Sequence, residues 1–270
     1  MSDAATDTAM TTTERTDKRR PPISVYIRTL NEERMIGDVI AAAFQIAREV
    51  VVVDSGSTDR TKEIAAAAGA KVFDQTWLGN GRQKRAAEDR CAHDWLLDLD
   101  ADEIITPALA TEINALFEAG DPPHRIYRTM LAIAPPVGRP WTRFGLATRH
   151  KLYDRRTARA PDHDAWDQFE IPAGVAVGAV REPILHYAFT GADHFMTKVN
   201  RNSSVRAAAL KPKSKGYLAL RILFGLPFYF GKAYFLKQYF RGGVYGFAMA
   251  LMSGYGRWLK DVKMWERIAQ

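Results

Sequence analysis

Residues 49–59 read Glu49-Val-Val-Val-Val-Asp54-Ser-Gly-Ser-Thr-Asp59. Four consecutive valines are the pattern of a short strand buried on both faces, which is the setting of a parallel sheet. The polar run after them is a loop. Thr58 or Asp59 can cap a helix that runs to about Ala68, and Gly69 is placed to end it. Upstream, residues 23–30 form a second strand-like run with β-branched side chains. Between the two, residues 32–49 put Ile36, Val39, Ile40, Ala43 and Phe44 on one helical face. Downstream, 71–73 is a third strand, 81–91 is helical, 94–99 is a fourth strand, and Pro107 opens a helix over 107–119. Strands alternating with helices at this spacing predict an α/β fold with a mostly parallel sheet and right-handed crossovers.

Ligands on such sheets bind beyond the carboxyl ends of the strands. The polar punctuation falls there: Asn31-Glu32-Glu33, then Asp54 to Asp59, then Asp98 to Glu103. No G-x-G-x-x-G follows the first strand and no phosphate-cradling lysine loop is present, so a nucleotide would not be held by a glycine-rich turn. Asp54 ends a buried strand, where a carboxylate is costly unless it finds donors. Ribose hydroxyls or a base N–H can supply them, and so can the turn itself. Asp100 and Asp102 alternate where the fourth strand ends, and two carboxylates there suit a hard divalent cation, Mg²⁺ or Mn²⁺. Asp98 and Glu103 add negative charge that calls for a cation or a basic partner. The other reading is an acidic start to the helix at Pro107.

The net charge of +7 is unevenly placed. Residues 23–195 carry 20 basic and 25 acidic side chains; residues 196–270 carry 14 basic and two acidic, with 14 of the 29 aromatics. An anionic partner is expected for that last region. Residues 1–22 are Thr- and Asp-rich without an apolar core and read as a disordered leader. The division expected is therefore leader 1–22, catalytic domain 23–192 and basic aromatic helical region 193–270. Within the second of these, 121–185 reads as loops and edge strands. In the last, helices are expected over 193–210, 216–240 and 244–266, with Pro227 bending the second. Its longest charge-free apolar runs, 222–231 and 242–256, fall short of the roughly 18–20 residues that span a bilayer. Interrupting charges such as Arg221, Lys232 and Arg257 suit an interfacial platform, with Leu218, Ile222, Leu226, Tyr229 and Phe230 on one apolar side. A nucleic-acid partner is not expected, because no aromatic stacking motif accompanies the basic residues.

Taken together, the strand ending in Thr29-Leu-Asn-Glu-Glu33, the Val50–Asp59 run and Asp94-Trp-Leu-Leu-Asp-Leu-Asp100-Ala-Asp-Glu103 resemble the family 2 glycosyltransferases. Trp77-Leu-Gly-Asn-Gly-Arg-Gln-Lys84, Ile184-Leu-His-Tyr187 and Lys260-Asp-Val-Lys-Met-Trp-Glu266 resemble the subgroup of lipopolysaccharide core-biosynthesis β-glucosyltransferases. The resemblance implies a GT-A type domain and a single inverting displacement. It moves a hexose from a nucleotide diphosphate sugar, a UDP-sugar foremost, to a lipid-linked saccharide. Transfer to a polyprenyl phosphate, or nucleotide-sugar binding without catalysis, are the alternatives. It places Asn31, Glu32 and Asp54 around the nucleoside, Lys84 near it or the diphosphate, and Asp100 and Asp102 on the metal. The base that deprotonates the acceptor falls in 162–170, where Trp166-Asp167 stands in place of the His-Glu of relatives. Asp167 is the first choice, with Glu170 and Asp164 as rivals. The location implied is cytoplasmic, peripheral on the inner face of the membrane. His186 and Lys151 carry no assigned role; a core histidine and a solvated lysine are the plainer readings.

Overall fold

A computed structural model describes residues 20–211 and 213–269. The leader expected over 1–22 lies outside the described residues but for its last three. The chain divides into two compact units. One comprises the residues up to Leu131 with Ala147–His186; the other comprises Ala132–Leu146 with Tyr187 onward.

The first unit carries β1 (Ile23–Thr29), α1 (Ile36–Ala43), β2 (Glu49–Asp54), α2 (Thr61–Ala67), β3 (Lys71–Asp74), α3 (Asn80–Glu88), β4 (Trp95–Asp100), β5 (Glu103–Ile105) and α4 (Pro107–Leu116) in that order. The strands β6 (Ile126–Ile133), β7 (Ala147–Asp154), β8 (Val177–Ala179) and β9 (Ile184–His186) follow. They form one mixed sheet in the order β3-β2-β1-β4-β7-β6-β9-β5, with β8 beside β6. β1, β2, β3 and β4 pair in parallel, as the valine run requires, and every residue of β2 is buried. Beyond β4 the pairing turns antiparallel through β7 and β6.

Residues 121–185 thus differ from the loops and edge strands expected of them. β6 and β7 are eight residues each and sit inside the sheet. Arginines at 128 and 149 break the apolar alternation that marks a strand, and tertiary pairing overrides the weak local signal. The short β5, which the sequence reading does not mark as a strand, pairs with β9.

Parallel register sets the ends level. Thr29 lies opposite Asp54, and Arg28 opposite both Val53 and Asp100. α1 begins only at Ile36, because residues 31–33 are engaged by the loop after β2. The Glu32 N–H donates to the Thr61 hydroxyl at 2.8 Å and the Glu33 N–H to the Asp59 carboxylate at 3.2 Å. α4 starts as predicted: Pro107 stands in its first turn and the Thr106 hydroxyl accepts from the Leu109 N–H.

The second unit is helical. It holds α5 (Ala192–Ala209), α6 (Lys215–Gly231), a π turn (Lys232–Leu236), a 3₁₀ turn (Tyr239–Gly242) and α7 (Gly243–Ala269). Trp141, Phe189, Tyr239, Met249 and Ala250 form its core. Asp261 of α7 is buried and accepts from Arg221 and from the Tyr229 hydroxyl, each at 2.9 Å. The helix expected over 216–240 stops at 231. Pro227 lacks an N–H, the π turn follows, and Gln238 takes a left-handed φ of 59°. The apolar side expected to face a membrane is turned inward: Leu218 and Tyr229 are buried, and Ile222, Leu226 and Phe230 are half-buried. The exposed apolar side chains of α6 are Leu220, Leu223, Phe224 and Phe228.

Candidate active site

Two loops meet at the ends of β1 and β2. Asn31, held at φ 54°, turns its side-chain carbonyl toward the Thr58 N–H at 2.8 Å, while its own N–H donates to the Ser57 hydroxyl. Asp54 is fully buried. One carboxylate oxygen accepts from the N–H groups of Gly56 and Ser57, and the other from the Ser57 hydroxyl at 2.5 Å. Its donors are thus supplied by its own turn, and it shapes the 55–58 loop from beneath.

At the ends of β1 and β4 the acids do not stand alone. Arg28 donates from Nε to Asp100 at 2.9 Å, from Nη2 to Asp167 at 3.1 Å, and from Nη1 to the Asn80 side-chain oxygen at 3.1 Å. Lys84, buried on α3, reaches Asp98 at 2.6 Å and Asp167 at 3.1 Å. Lys151, buried on β7, reaches Glu103 at 2.7 Å and donates to the Asp98 carbonyl at 3.2 Å. Three internal cations therefore neutralise much of the charge that called for a partner. The expectation of a solvated Lys151 is corrected: the surrounding carboxylates hold it charged, raising its pKa against the burial that would lower it. Burial opposes ionisation of Asp100, but Lys151, Arg28 and Lys84 outweigh it and keep its carboxyl well below the usual range. Glu103 is pushed up, chiefly by burial.

Asp102 faces elsewhere. Its Oδ1 lies 3.4 Å from Nε2 of His186, where β9 ends. Burial lowers the imidazole pKa, but the hydrogen bond and charge of Asp102 prevail and raise it. Adjacent ligands on a six-coordinate ion with bonds of about 2.1 Å stand about 3.0 Å apart, so this carboxylate and imidazole fit as two neighbouring ligands of a small dication. Asp100 is ion-paired with Arg28 through one oxygen, and its other oxygen lies 3.9 Å from Lys151. No group of three or more His, Cys, Asp or Glu among the described residues is placed to hold a metal ion by itself. Remaining positions would fall to a ligand's oxygens and water.

The 161–170 loop lies over the start of α3. The N–H of Asn80 donates to the Asp164 carbonyl and that of Gly81 to the His163 carbonyl, at 2.6 and 2.9 Å. Gly81 is required there, since a methyl group would come within 2.5 Å of the Pro161 carbonyl. Asp164 is tied to Arg82 at 2.7 Å and stays on the outer side. Asp167 joins the Arg28–Lys84 pair. Burial would raise its pKa, yet Lys84 and Arg28 lower it and keep the carboxylate ionised. Glu170 is exposed.

The glycosyl transferase family 2 profile matches residues 24–181, more than half of the chain and nearly the whole described sheet. The chain belongs to glycosyl transferase family 2. Among relatives in the family, an "Uncharacterized glycosyltransferase" of Rickettsia felis is 32% identical over 257 residues, covering 91% of this chain and 90% of its own. LpsC of Rhizobium meliloti, a lipopolysaccharide core biosynthesis glycosyltransferase, is 28% identical over 256 residues, 92% of this chain and 93% of its own. Glucosyl-3-phosphoglycerate synthase from Mycobacterium tuberculosis, solved with Mg²⁺ and UDP, is 25% identical with a TM-score of 0.33. That alignment covers 47% of either chain. The protein is a glycosyltransferase, and the family match spans the acid cluster and both loops.

Arg28, Lys151 and His186 were not singled out as site residues by the sequence. For Arg28 the signal existed: a lone arginine inside a buried strand must find carboxylates or remain an unpaired charge. His186 needed the β5–β9 pairing, which sets Glu103 opposite His186 and so brings Asp102 within reach.

Proposed function

We propose that this glycosyltransferase has a GT-A type catalytic domain and moves a hexose from a UDP-sugar to a lipid-linked saccharide in lipopolysaccharide core or envelope polysaccharide synthesis, with inversion. The observation that carries the proposal is the Asp102–His186 pair at the carboxyl end of β4, beside the loops of β1 and β2. The family match and the similarity to LpsC support the substrate class. Asn31 and Glu32, with the 55–58 turn that Asp54 holds, line the nucleoside. Lys84 and Arg28 supply positive charge toward the diphosphate. Asp102 and His186 would hold a divalent cation, with Asp100 in support through Arg28; such a cation neutralises charge on a departing diphosphate.

Asp167 is the proposed base. One of its oxygens is engaged by Arg28 and Lys84, and the other takes the acceptor's proton. As the acceptor oxygen bonds to the anomeric carbon, the bond to the diphosphate oxygen breaks and the nucleoside diphosphate leaves. Glu170 on the same loop is the rival. Among the described residues no helix is long and apolar enough to cross a membrane. The exposed apolar side chains of the second unit are instead proposed to dock on an anionic bilayer, which would place the protein on the inner membrane face.

The test measures UDP affinity with Mn²⁺ and in excess chelator, then hexose transfer from UDP-sugars to purified lipopolysaccharide core. Wild type should bind UDP more tightly with Mn²⁺. Asp102→Asn and His186→Ala should each lose that gain and lose transfer while keeping their melting temperature. Full transfer in chelator would refute the metal role, and absence of transfer with every hexose donor would refute the substrate class.

A further inference from the structure

The second unit carries a half-open cavity of about 390 Å³ lined by α5, α6, the π and 3₁₀ turns and α7. Six cations line it: Arg206, Arg221, Lys232, Lys237, Arg257 and Lys260. Against them stands one carboxylate, the buried Asp261, which Arg221 and Lys260 already approach at 2.9 Å. Counting Asp261, which pairs with two of them without itself lining the cavity, the cluster carries a net charge of +5. Arg206, Lys232 and Arg257 make no side-chain ion pair or hydrogen bond among the described residues, though the helices around them are firmly packed. α7 meets α6 so closely that a methyl on Gly254 would come within 2.9 Å of the Phe230 nitrogen. Asn202 and Ser253 add neutral donors to the lining.

Like charges converging on one cavity repel unless an anion sits among them. Solvent reaches these side chains, since Arg206, Lys232, Lys237 and Arg257 are exposed, and screens them in part. Their concentration from α5, α6, the π turn, the residues after it and α7 along one concavity still sets them apart from charges spread over a convex face. A phosphoryl group answers that demand better than a carboxylate. It carries about two negative charges and three acceptor oxygens, and it accepts paired bonds from arginine forks. The space exceeds what a bare anion needs, leaving room for the glycerol or sugar that carries the phosphate.

We infer that the cavity walled by Arg206, Lys232 and Arg257 is a binding site for a phosphoryl group borne on a small molecule or lipid headgroup. The site belongs to the helical unit alone and does not depend on the transfer reaction.

Inorganic phosphate is the first probe, titrated into the full chain at constant ionic strength against chloride, with melting temperature and calorimetric affinity as readouts. Vesicles containing phosphatidic acid are the second probe, compared with phosphatidylglycerol vesicles of equal surface charge. The variant pair Arg206→Gln/Arg257→Gln removes two cavity charges. The pair Arg201→Gln/Lys215→Gln removes two exposed charges outside the cavity and serves as the control. Phosphate should stabilise the wild type, and the cavity pair should weaken that binding by more than about tenfold while the control pair does not. The same loss seen only with phosphatidic acid vesicles assigns the site to a lipid headgroup; seen with free phosphate alone, it assigns it to a soluble or saccharide-borne group. Equal losses in both pairs, or no preference for either probe over its control, would overturn the inference. Because both variant pairs alter exposed side chains, circular dichroism and unchanged melting in chloride establish that each remains folded.

Discussion

Asp167 sits where two demands on a carboxylate pull apart. Arg28 and Lys84 keep it ionised, as a base must be before it accepts a proton, yet the same cations weaken its basicity. A bound diphosphate would compete for both cations and free the carboxylate to act. Asp167→Asn should therefore lower turnover by about 10²–10⁴ while donor affinity stays within a few-fold. Glu170→Gln should have little effect in the same steady-state assay. If the large loss follows Glu170→Gln instead, Asp167 is a positioning residue for Arg28 and Lys84. Two single substitutions thus decide which acid of the 161–170 loop touches the acceptor.

Element by element, legibility in the sequence followed how local the cause of each structure is. β1, β2, β4 and α4 could be read because their patterns are internal: β-branched and apolar runs in the strands, a proline in the first turn of the helix. β6 and β7 could not, since Arg128 and Arg149 disrupt the alternation and only the pairing of β7 with β4 and of β6 with β7 makes the segments extended. The same division holds in the site. Asp100 and Asp102 stand out by spacing, whereas His186 acquires its neighbour only through β9 pairing with β5. α6 failed in another way: its two sides are both apolar, so composition could not tell the packed side from the exposed one. Glu49, at the start of β2, belongs to this scale because it joins three segments. It accepts from the Ala92 N–H at 2.7 Å, the Ser24 hydroxyl at 2.5 Å and Lys71 at 2.6 Å. Burial would raise its pKa, but those donors lower it. A lowered folded pKa contributes stability above the unfolded value of about 4.3, and that contribution disappears as pH falls through the folded value. Glu49→Gln should cost about 1 kcal/mol at neutral pH, the exposed Lys71 adding little. The deficit should close below about pH 4, as read by urea denaturation of both proteins across that range; a constant deficit would contradict the assignment.

For the molecule as a whole, the helical unit poses a problem of exposed apolar surface. Leu223 is 73% exposed, Phe228 66%, Leu236 76% and Val244 90%, and Phe235, Phe240 and Phe247 are also exposed. Single exposed apolar residues are ordinary, but this many on α6, the π and 3₁₀ turns and the start of α7 are not. Ring contacts tie three of them together: Phe247 packs on Phe230 and Tyr234, and Tyr234 on Phe235 and Phe240. From Tyr187 onward the sequence has 14 Lys and Arg against three acids. Apolar side chains beside excess positive charge match the boundary of an anionic bilayer, where each nearby cation adds about 1 kcal/mol and each buried Leu or Phe about 1.5–3 kcal/mol. The full chain should therefore float with vesicles containing phosphatidylglycerol at low salt, and less so as salt rises. Leu223→Ser/Phe228→Ser/Val244→Ser removes three exposed side chains that no core contact requires. It should lower the partition coefficient by more than about 100-fold with the melting temperature kept, each tenfold being 1.4 kcal/mol. Flotation of that variant as strong as wild type would mean that charge alone holds the protein. Failure of the folded wild type to float at low salt would mean that this apolar surface has some other partner.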